Sequence, residues 1–286
     1  MRNYSHIISK LFNEPTLLTP ARHAAICHLL ETKLSTPEPQ AAGPTKRFRP
    51  NSGTYEDASD NEGITYFDQL RTVGNASIIP IHGTLVAHPE DIAMSECGCS
   101  MEDVSKAVDM AENDSAVEKM IFDFRTPGGS VTGIPEAGRK ILSSRKETIA
   151  FTDSECCSGG LWLAAQCQKF YATQSSRVGS VGVYTLCLDM TAAMKKDGVK
   201  VNAISAGKFK LLGAYWKAMS PEESAIVQRG VDKIYAQFKE AMESYRVVHD
   251  EHFGNGLVFD GDEAAEIGFT DGVVESMDDI LEGLVE

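Results

Sequence analysis

The sequence predicts an α/β fold built on a parallel sheet, and three observations support this prediction. Apolar strand-like runs alternate with helical patterns between residues 76 and 153, which is the pattern of βαβ crossovers. Two of the predicted strands end in glycine-rich turns, Pro127-Gly128-Gly129 and Cys157-Ser158-Gly159. The hydrophobic content of 42% is enough to form a proper core. Because ligands bind beyond the carboxyl ends of parallel strands, we expect both turns to belong to one site.

Two segments of different composition precede the predicted sheet. Residues 1–34 contain one predicted helix, which begins at Thr19-Pro20 with a threonine N-cap and a proline in its first turn. We expect this segment to dock on the main domain or on another subunit. Residues 35–65 are rich in proline, serine, threonine, glycine and charge, and are predicted to be a flexible linker. The compact domain is then expected over residues 66–286.

The elements of that domain follow in order along the chain. The predicted strands are short apolar runs bounded by turn residues, at 76–81, 117–124, 148–153, 169–173, 199–204 and 269–274. The predicted helices have apolar residues at helical spacing and cover 101–116, 132–143, 189–196, 220–247, 262–267 and 277–284. The helix from 220 has the clearest start, because Ser220-Pro221-Glu222-Glu223 supplies an N-cap, a proline at N1 and a glutamate at N3.

Composition and charge exclude several classes of function. The net charge of −14 argues against nucleic-acid binding and against binding to an anionic membrane surface. No run of 18 apolar residues is present, so neither a transmembrane helix nor a membrane anchor is expected. Seven cysteines without the spacing of a disulfide framework predict reduced thiols and a cytoplasmic location. No cofactor or metal is expected, since Cys97-Gly98-Cys99 lacks a second ligand pair and no phosphate-binding glycine loop occurs.

Ser158 is the first candidate for catalysis. It stands between the apolar run Thr148-Ile149-Ala150-Phe151 and the helical run that begins at Leu161, which predicts a strand, a sharp turn and a helix. A serine at that point projects its hydroxyl from the turn, and the N–H groups of the first helical turn lack intrahelical acceptors. The same residues also fit a simple N-cap, so the motif alone leaves both interpretations open.

Two further side chains, His82 and Cys157, could be either catalytic or structural. His82 follows a predicted buried strand and could act as a base, but its position before the strand-ending Gly83 favours a structural role. Cys157 adjoins Ser158, but no base is assigned to it, so we interpret it as a packed thiol.

Residues 76–275 resemble the S49 serine peptidases, the family of signal peptide peptidase A and of head-maturation proteases of tailed phages. The resemblance rests on four motifs in the family's order, followed by a lysine loop and a closing segment. These are Ile78-Ile79-Pro80-Ile81-His82-Gly83, Thr126-Pro127-Gly128-Gly129, Cys157-Ser158-Gly159-Gly160, Val178-Gly179-Ser180-Val181-Gly182-Val183, Ile204-Ser205-Ala206-Gly207-Lys208-Phe209-Lys210 and Ala264-Ala265-Glu266-Ile267-Gly268-Phe269-Thr270-Asp271. One departure is Cys157, where the family usually has alanine.

The resemblance implies a ClpP/crotonase-like fold and a Ser–Lys dyad. Ser158 matches the family's nucleophile, and Ser180 matches a serine that orients the lysine amine. Lys208 and Lys210 compete for the role of base, and the family's spacing favours Lys210. The implied oxyanion hole consists of the N–H groups of Ser158 and of Gly128 or Gly129.

The chemistry of such a dyad sets a condition on the lysine. A serine hydroxyl is a weak nucleophile and needs a base beside it. A lysine can be that base only when it is neutral, and burial away from water lowers an ordinary lysine pKa of about 10.4. We therefore expect Lys210 in an apolar pocket with Ser158 and Ser180 as hydrogen-bond partners.

The resemblance divides into two biological hypotheses. Because no membrane anchor is expected, we favour a phage prohead protease that cleaves scaffold and capsid precursors. It would work in the host cytoplasm or in the procapsid. The alternatives are a soluble bacterial signal-peptide-peptidase-like protease and a catalytically silent structural protein of the phage head. A crotonase-like acyl-CoA enzyme would share the fold but would have no use for Ser158 and Lys210. The family also implies a homo-oligomeric ring, to which the 220–247 helix is expected to contribute contacts.

Overall fold

The computed structural model describes residues 15–18, 46–49, 54–57, 70–89, 98–248 and 254–283. Its strands in chain order are β1 Thr16–Leu18, β2 Lys46–Arg49, β3 Thr54–Asp57, β4 Arg71–Val73, β5 Ala76–His82, β6 Thr84–Val86, β7 Gly98–Ser100, β8 Lys119–Arg125, β9 Gly128–Ser130, β10 Glu147–Thr152, β11 Glu155–Cys157, β12 Lys169–Ala172, β13 Arg177–Gly179, β14 Val258–Phe259 and β15 Gly272–Val273. Its helices are α1 Met101–Asn113, α2 Ile134–Leu142, α3 Gly159–Ala164, α4 Thr191–Lys196, α5 Pro221–Met242, α6 Gly261–Glu266 and α7 Met277–Leu281.

A six-stranded sheet forms the centre of the fold. Its strand order is β15-β12-β10-β8-β5-β4. Every neighbouring pair in it is parallel except β4 and β5, which pair antiparallel at one edge. Helix α1 lies in the connection from β5 to β8, and α2 lies in the connection from β8 to β10. The predicted α/β fold with a parallel sheet and βαβ crossovers is therefore confirmed.

The two faces of this sheet bury different cores. Phe122 and Phe124 point to the larger core, which also contains buried residues of α1, α2, α3 and the end of α5. Ile121, one position along the same strand, points to a smaller core that is closed by α7. The alternation follows from the two-residue period of a strand, and burial on both faces explains why β8 is apolar almost throughout.

Two smaller sheets carry the glycine-rich motifs. One has the order β1-β9-β6-β7 and the other β11-β13-β14. Strand β9 follows directly after β8, and β11 follows directly after β10. Both smaller sheets therefore begin where central strands end, which is the edge at which the sequence predicts the site.

The long helix α5 begins where its sequence predicts. Ser220 and Glu223 form a reciprocal capping box, and Pro221 is the first helical residue. Only the first turn and the C-terminal end of this helix hold buried residues. Among the helices of the described residues, none is long and apolar enough to cross a bilayer.

Several predicted elements differ from the structure. The strand predicted at 199–204 is wrong: these residues form no strand and are exposed, with Ile204 fully exposed. The strand predicted at 269–274 is only two residues long, Gly272–Val273.

The N-terminal predictions are covered only in part. The helix predicted from Thr19-Pro20 lies outside the described residues. Within 35–65, β2 and β3 pair antiparallel, and the rest of the predicted linker is outside the described residues. Within 1–34, the three residues of β1 pair with β9 in the main domain.

Candidate active site

Backbone hydrogen bonds join the two glycine-rich turns that follow β8 and β10. The Thr126 N–H donates to the Glu155 carbonyl at 2.7 Å, and the Cys157 N–H donates to the Thr126 carbonyl at 3.0 Å. The Thr126 hydroxyl donates to the Gly83 carbonyl at 2.6 Å, which adds the end of β5 to the same network. The expectation that these turns meet at one edge of the sheet is therefore confirmed.

Ser158 lies at the centre of this network in an unusual conformation. Its backbone has φ 54° and ψ −115°, and only 1% of the surface of Ser158 is exposed to solvent. A non-glycine residue with positive φ is strained, and such strain persists only where the surrounding structure holds it in place. Ser158 precedes α3, but its hydroxyl does not cap that helix. The simple N-cap interpretation is therefore wrong, and the hydroxyl is available for another role.

The two glycines after Ser158 are required by close packing. A β-carbon on Gly160 would lie 2.4 Å from the Thr126 methyl carbon, and one on Gly159 would lie 2.6 Å from Ile134 Cδ1. Glycine at both positions lets α3 start directly against the Thr126 turn and α2. Helix α3 is buried along its full length, which fixes the position of the Ser158 turn.

The third motif also contacts Ser158. The Ser158 N–H donates to the Gly179 carbonyl at 2.8 Å, and the Ser180 N–H donates to the Leu257 carbonyl at 2.6 Å. Ser180 is 7% exposed and, like Ser158, has a positive φ, here 58°. The structure thus places Ser180 one residue from the carbonyl that holds the Ser158 backbone.

Two of the three predicted oxyanion donors, the N–H groups of Ser158 and Gly128, already have partners in this structure. The Ser158 N–H is bonded to the Gly179 carbonyl. The Gly128 N–H donates to the Thr126 hydroxyl at 3.1 Å. Gly129 is in register with Leu17 of β1. The Ser158 N–H in particular is turned toward β13, so its assignment as an oxyanion donor does not fit this geometry.

The Gly159 N–H is a further candidate donor, which the sequence analysis did not name. As the first residue of α3, its N–H has no acceptor within the helix, and no other described residue accepts from it. A β-carbon on Gly128 would lie 3.0 Å from the Gly159 nitrogen, so this N–H lies against the Thr126–Gly129 turn. The signal was present in the sequence, because the residue after a turn nucleophile commonly supplies an oxyanion N–H.

The two candidate lysines lie in exposed surroundings. The Lys208 ammonium pairs with the Glu222 carboxylate at 2.6 Å and lies 4.9 Å from the Phe209 ring centre. Lys210 is exposed, whereas Ser158 and Ser180 are buried. The apolar pocket expected around Lys210 is therefore absent from the described part of a single chain. Of the two lysines, only Lys208 is held by a carboxylate.

His82 and Cys157 have the features of structural residues. The His82 Nε2 atom lies 2.9 Å from the Asp123 carboxylate, and both side chains are on the sheet face opposite α3. The Cys157 thiol is buried and donates to the Arg177 carbonyl at 3.7 Å. Burial, followed by the charge of Glu155, raises the pKa of the Cys157 thiol to about 12. Because only the thiolate is a strong nucleophile, Cys157 is not reactive at neutral pH.

Among the described residues, no group of three or more His, Cys, Asp or Glu side chains is arranged to hold a metal ion. Cys97 of the Cys97-Gly98-Cys99 motif is outside those residues. Cys99 is buried, which raises the pKa of its thiol to about 12.

Comparison with known proteins gives two phage relatives that match nearly the whole chain. The chain is 26% identical to the capsid assembly protease C of Escherichia phage lambda over 98% of its own length and 65% of that protein. It is 27% identical to the head-tail preconnector protein GP5 of Enterobacteria phage P21, over 98% of its own length and 57% of that protein. The chain therefore spans less than two thirds of the length of either relative.

A bacterial relative matches a smaller part. A putative signal peptide peptidase SppA from Enterococcus faecium is 26% identical over 58% of this chain and 50% of that protein. The family model described as Peptidase family S49 matches residues 140–284, which contain the Ser158 turn, Ser180 and both candidate lysines. This match confirms the resemblance to the S49 peptidases, from which the ClpP/crotonase-like fold was predicted. The chain belongs to peptidase family S49.

Proposed function

We propose that this protein is a serine endopeptidase in which Ser158 is the nucleophile and Lys210 the general base. The observation that carries the proposal is the buried, strained Ser158 turn, whose hydroxyl does not cap α3 and whose backbone is joined to the Thr126–Gly129 turn. Conformational strain of this kind is concentrated at functional sites. Membership of family S49 supports the same assignment.

The proposed reaction has two stages. The Ser158 oxygen attacks the peptide carbonyl carbon while its proton passes to the neutral Lys210 amine. The tetrahedral intermediate collapses, the C–N bond breaks, and the leaving amine takes the proton from Lys210. Water then attacks the acyl-serine ester by the same route and regenerates the hydroxyl.

The oxyanion of the intermediate needs preorganised N–H donors. We assign the Gly159 N–H as one donor, since it has no described acceptor and adjoins the Thr126–Gly129 turn. Gly128 or Gly129 in that turn supplies the second donor, and the Gly128 N–H could do so only after it releases the Thr126 hydroxyl. Each such donor contributes about 3 kcal/mol to lowering the barrier.

Assembly of several chains would supply the burial that Lys210 needs. Residues 182–219 expose an unusual number of large apolar side chains, including Leu186, Leu188, Met190, Val199, Val201, Ile204 and Tyr215. Exposed apolar surface of this kind typically marks a protein interface. We propose that a homo-oligomeric ring covers this segment and brings Lys210, with Ser180 as its orienting partner, to a Ser158 hydroxyl.

The biological setting we propose is the head of a tailed phage. The two phage relatives match 98% of the chain, whereas the signal peptide peptidase relative matches 58%. The substrates would then be scaffold and capsid precursors, processed in the procapsid within the host cytoplasm. Assignment as a signal-peptide-peptidase-like protease remains the alternative, and is favoured only by the shared peptidase region.

The test is processing of the candidate precursors by the full chain. We expect wild-type protein to cleave co-expressed scaffold and coat proteins and the Ser158→Ala variant to leave them intact. Cys157→Ala is the matched control, because it alters the adjacent buried side chain without removing the hydroxyl, and it should retain cleavage. Normal processing by Ser158→Ala would contradict the proposed function, and absence of cleavage by wild type would favour a catalytically silent head protein.

A further inference from the structure

The chain places one of its own strands across the candidate active site. Strand β1 pairs antiparallel with β9, with Thr16 opposite Ser130, Leu17 opposite Gly129 and Leu18 opposite Gly128. These partners include the glycines assigned to the oxyanion turn. More than 100 residues of sequence separate the two strands, so the contact is not the result of a local hairpin.

The other edge of β1 is also bonded. The Thr16 N–H donates to the Tyr184 carbonyl at 2.8 Å, and the Tyr184 N–H donates to the Thr16 carbonyl at 3.3 Å. Tyr184 follows directly after the Val178–Val183 motif that contains Ser180. Strand β1 therefore lies between two of the motifs that define the site. An extended peptide bound by strand addition would use the same two edges.

The carbonyl of Leu17 lies close to the proposed oxyanion donors. A β-carbon on Gly128 would be 1.9 Å from the Leu17 carbonyl oxygen and 3.0 Å from the Gly159 nitrogen. Gly128 thus lies next to the Leu17 carbonyl and next to the Gly159 N–H, for which the described part of the chain has no acceptor. The β1 backbone therefore occupies the space in front of this turn, although the Leu17 carbonyl does not accept a hydrogen bond from Gly159.

The Leu17 side chain fills an apolar pocket beside the nucleophile. Leu17 is 0% exposed. A β-carbon on Gly159 would lie 3.4 Å from Leu17 Cβ, 3.4 Å from Leu85 Cδ1 and 2.6 Å from Ile134 Cδ1. These atoms define a pocket that adjoins the residue after Ser158 and accepts an aliphatic side chain.

We propose that residues 16–18 are an internal pseudosubstrate, which occupies the peptide groove and must leave before a substrate binds. The proposal rests on the proposed function, since it takes Ser158 as the nucleophile. It also specifies the substrate class: an extended polypeptide that pairs antiparallel with β9 and places a leucine-sized aliphatic side chain in the Leu17 pocket. The protein is then held inactive by its own N-terminal strand.

Hydrogen exchange on the wild-type protein tests this directly. A peptide aldehyde ending in leucinal is bound covalently to Ser158, and exchange at the amides of residues 16–18 is compared with that of the free protein. We expect at least tenfold faster exchange there, because the inhibitor takes the pairing edges of β1. A peptide aldehyde of the same length ending in aspartal, whose acidic side chain does not fit the apolar Leu17 pocket, is the matched control and should leave exchange unchanged. Unchanged exchange with the aldehyde bound would overturn the proposal.

A substitution gives a second and independent test. Leu17→Glu places a carboxylate in the apolar pocket and should drive β1 out, since a buried unpaired charge is costly. We expect fluorophosphonate labelling of Ser158 to become at least tenfold faster, and a synthetic peptide of residues 13–20 to slow it again. A scrambled peptide is the control. A folded Leu17→Glu protein that labels no faster than wild type would overturn the proposal.

The two proposals fail in different ways. If Ser158 is labelled equally in wild type and Leu17→Glu, the peptidase assignment stands and the pseudosubstrate is excluded. If neither protein is labelled at Ser158, the proposed function itself fails. Should Leu17→Glu not fold, the exchange experiment on wild type decides the question alone.

Discussion

The Ser158 turn and the segment that carries Lys210 differ in almost every physical respect. Ser158 is buried, and its backbone N–H is hydrogen-bonded to a neighbouring motif. Residues 182–219 contain one short helix, α4, and Lys210 lies in an exposed loop of that segment. Under the proposed function, one chain would preform the nucleophile, whereas the base would depend on an additional contact.

The apolar residues of the second region explain a wrong prediction. Val199 and Val201 are 52% and 42% exposed, and Ile204 is fully exposed. Their pattern suggested a strand because apolar runs usually mark buried strands. An interface that is unoccupied in one chain produces the same pattern. We therefore interpret 199–204 as part of a contact surface between copies of the chain.

Among the substitutions that test the difference between the two regions, Ile204→Asp is expected to have the largest effect. It should prevent assembly and lower peptide hydrolysis on the order of 100-fold, the contribution of a general base. The free energy of unfolding of the monomer should change by less than about 0.5 kcal/mol, since Ile204 is fully exposed in the single chain. Sedimentation velocity, peptide hydrolysis and urea unfolding measure the three quantities.

Met110→Asp is the matched control for this variant. Met110 is a 39% exposed apolar residue on α1 of the catalytic core, so the control introduces the same charge outside the segment. It should assemble and hydrolyse peptide as wild type does. Full activity of Ile204→Asp as a monomer would show that a single chain completes its own dyad.

Gly160→Ala tests the rigidity of the nucleophile region. The added β-carbon would lie 2.4 Å from the Thr126 methyl carbon. Thr126 cannot rotate freely, because its hydroxyl donates to Gly83 and accepts from Gly128. We expect a loss of about 1–3 kcal/mol in the free energy of unfolding, measured by urea denaturation.

Gly230→Ala is the corresponding change in α5. Gly230 is an exposed helical residue with nothing within 4 Å of an added β-carbon. Alanine there should raise the free energy of unfolding by about 0.5–1 kcal/mol through helix propensity alone. Equal effects of the two substitutions would contradict the difference in packing between the regions.

The smallest effect on stability is expected from a substitution of Glu223 at the start of α5. A hydrogen bond from Lys217, followed by bonds from Ser220, lowers the pKa of Glu223 to about 2. Because this pKa is lower in the folded state, Glu223 stabilises the fold fully above about pH 4.3, and the contribution is lost as pH falls through about 2. Glu223→Gln should reduce stability at pH 7 and show a shallower decline between pH 5 and 2.

Thermal unfolding across that pH range measures the effect. Glu240→Gln, at an exposed position near the other end of the same helix, is the control and should follow the wild-type profile. A wild-type profile for Glu223→Gln would show that the capping box does not contribute to stability.

The central sheet and the meeting of the motifs could be predicted because their signals are local and repetitive. Strands β5, β8 and β10 are continuous apolar runs, and glycine-rich turns follow the last two. The rule that parallel strands place their carboxyl ends together then brings Thr126 close to Ser158 without knowledge of side-chain contacts. Helix α5 was equally clear because Ser220, Pro221 and Glu223 are specific start signals.

The features that were missed depend on pairing between distant segments. The Ser158 N–H is not available as a donor because it is hydrogen-bonded to the Gly179 carbonyl. A pairing between residues this far apart in the chain cannot be read from the sequence. Strand β1 has only three residues, too few for a periodic pattern, and its partner is β9. The exposure of Lys210 also differs from the predicted apolar pocket, and the proposed assembly would supply contacts that one chain does not contain.

The proposed Ser158–Lys210 dyad is tested most directly by the rate at which a fluorophosphonate labels Ser158 in the assembled protein. We predict that Lys210→Met slows labelling by at least about 100-fold, as expected for loss of a general base. Lys208→Met, in the same exposed loop but paired with Glu222, should label at nearly the wild-type rate. Labelling of Lys210→Met as fast as wild type would contradict the proposed Ser158–Lys210 dyad.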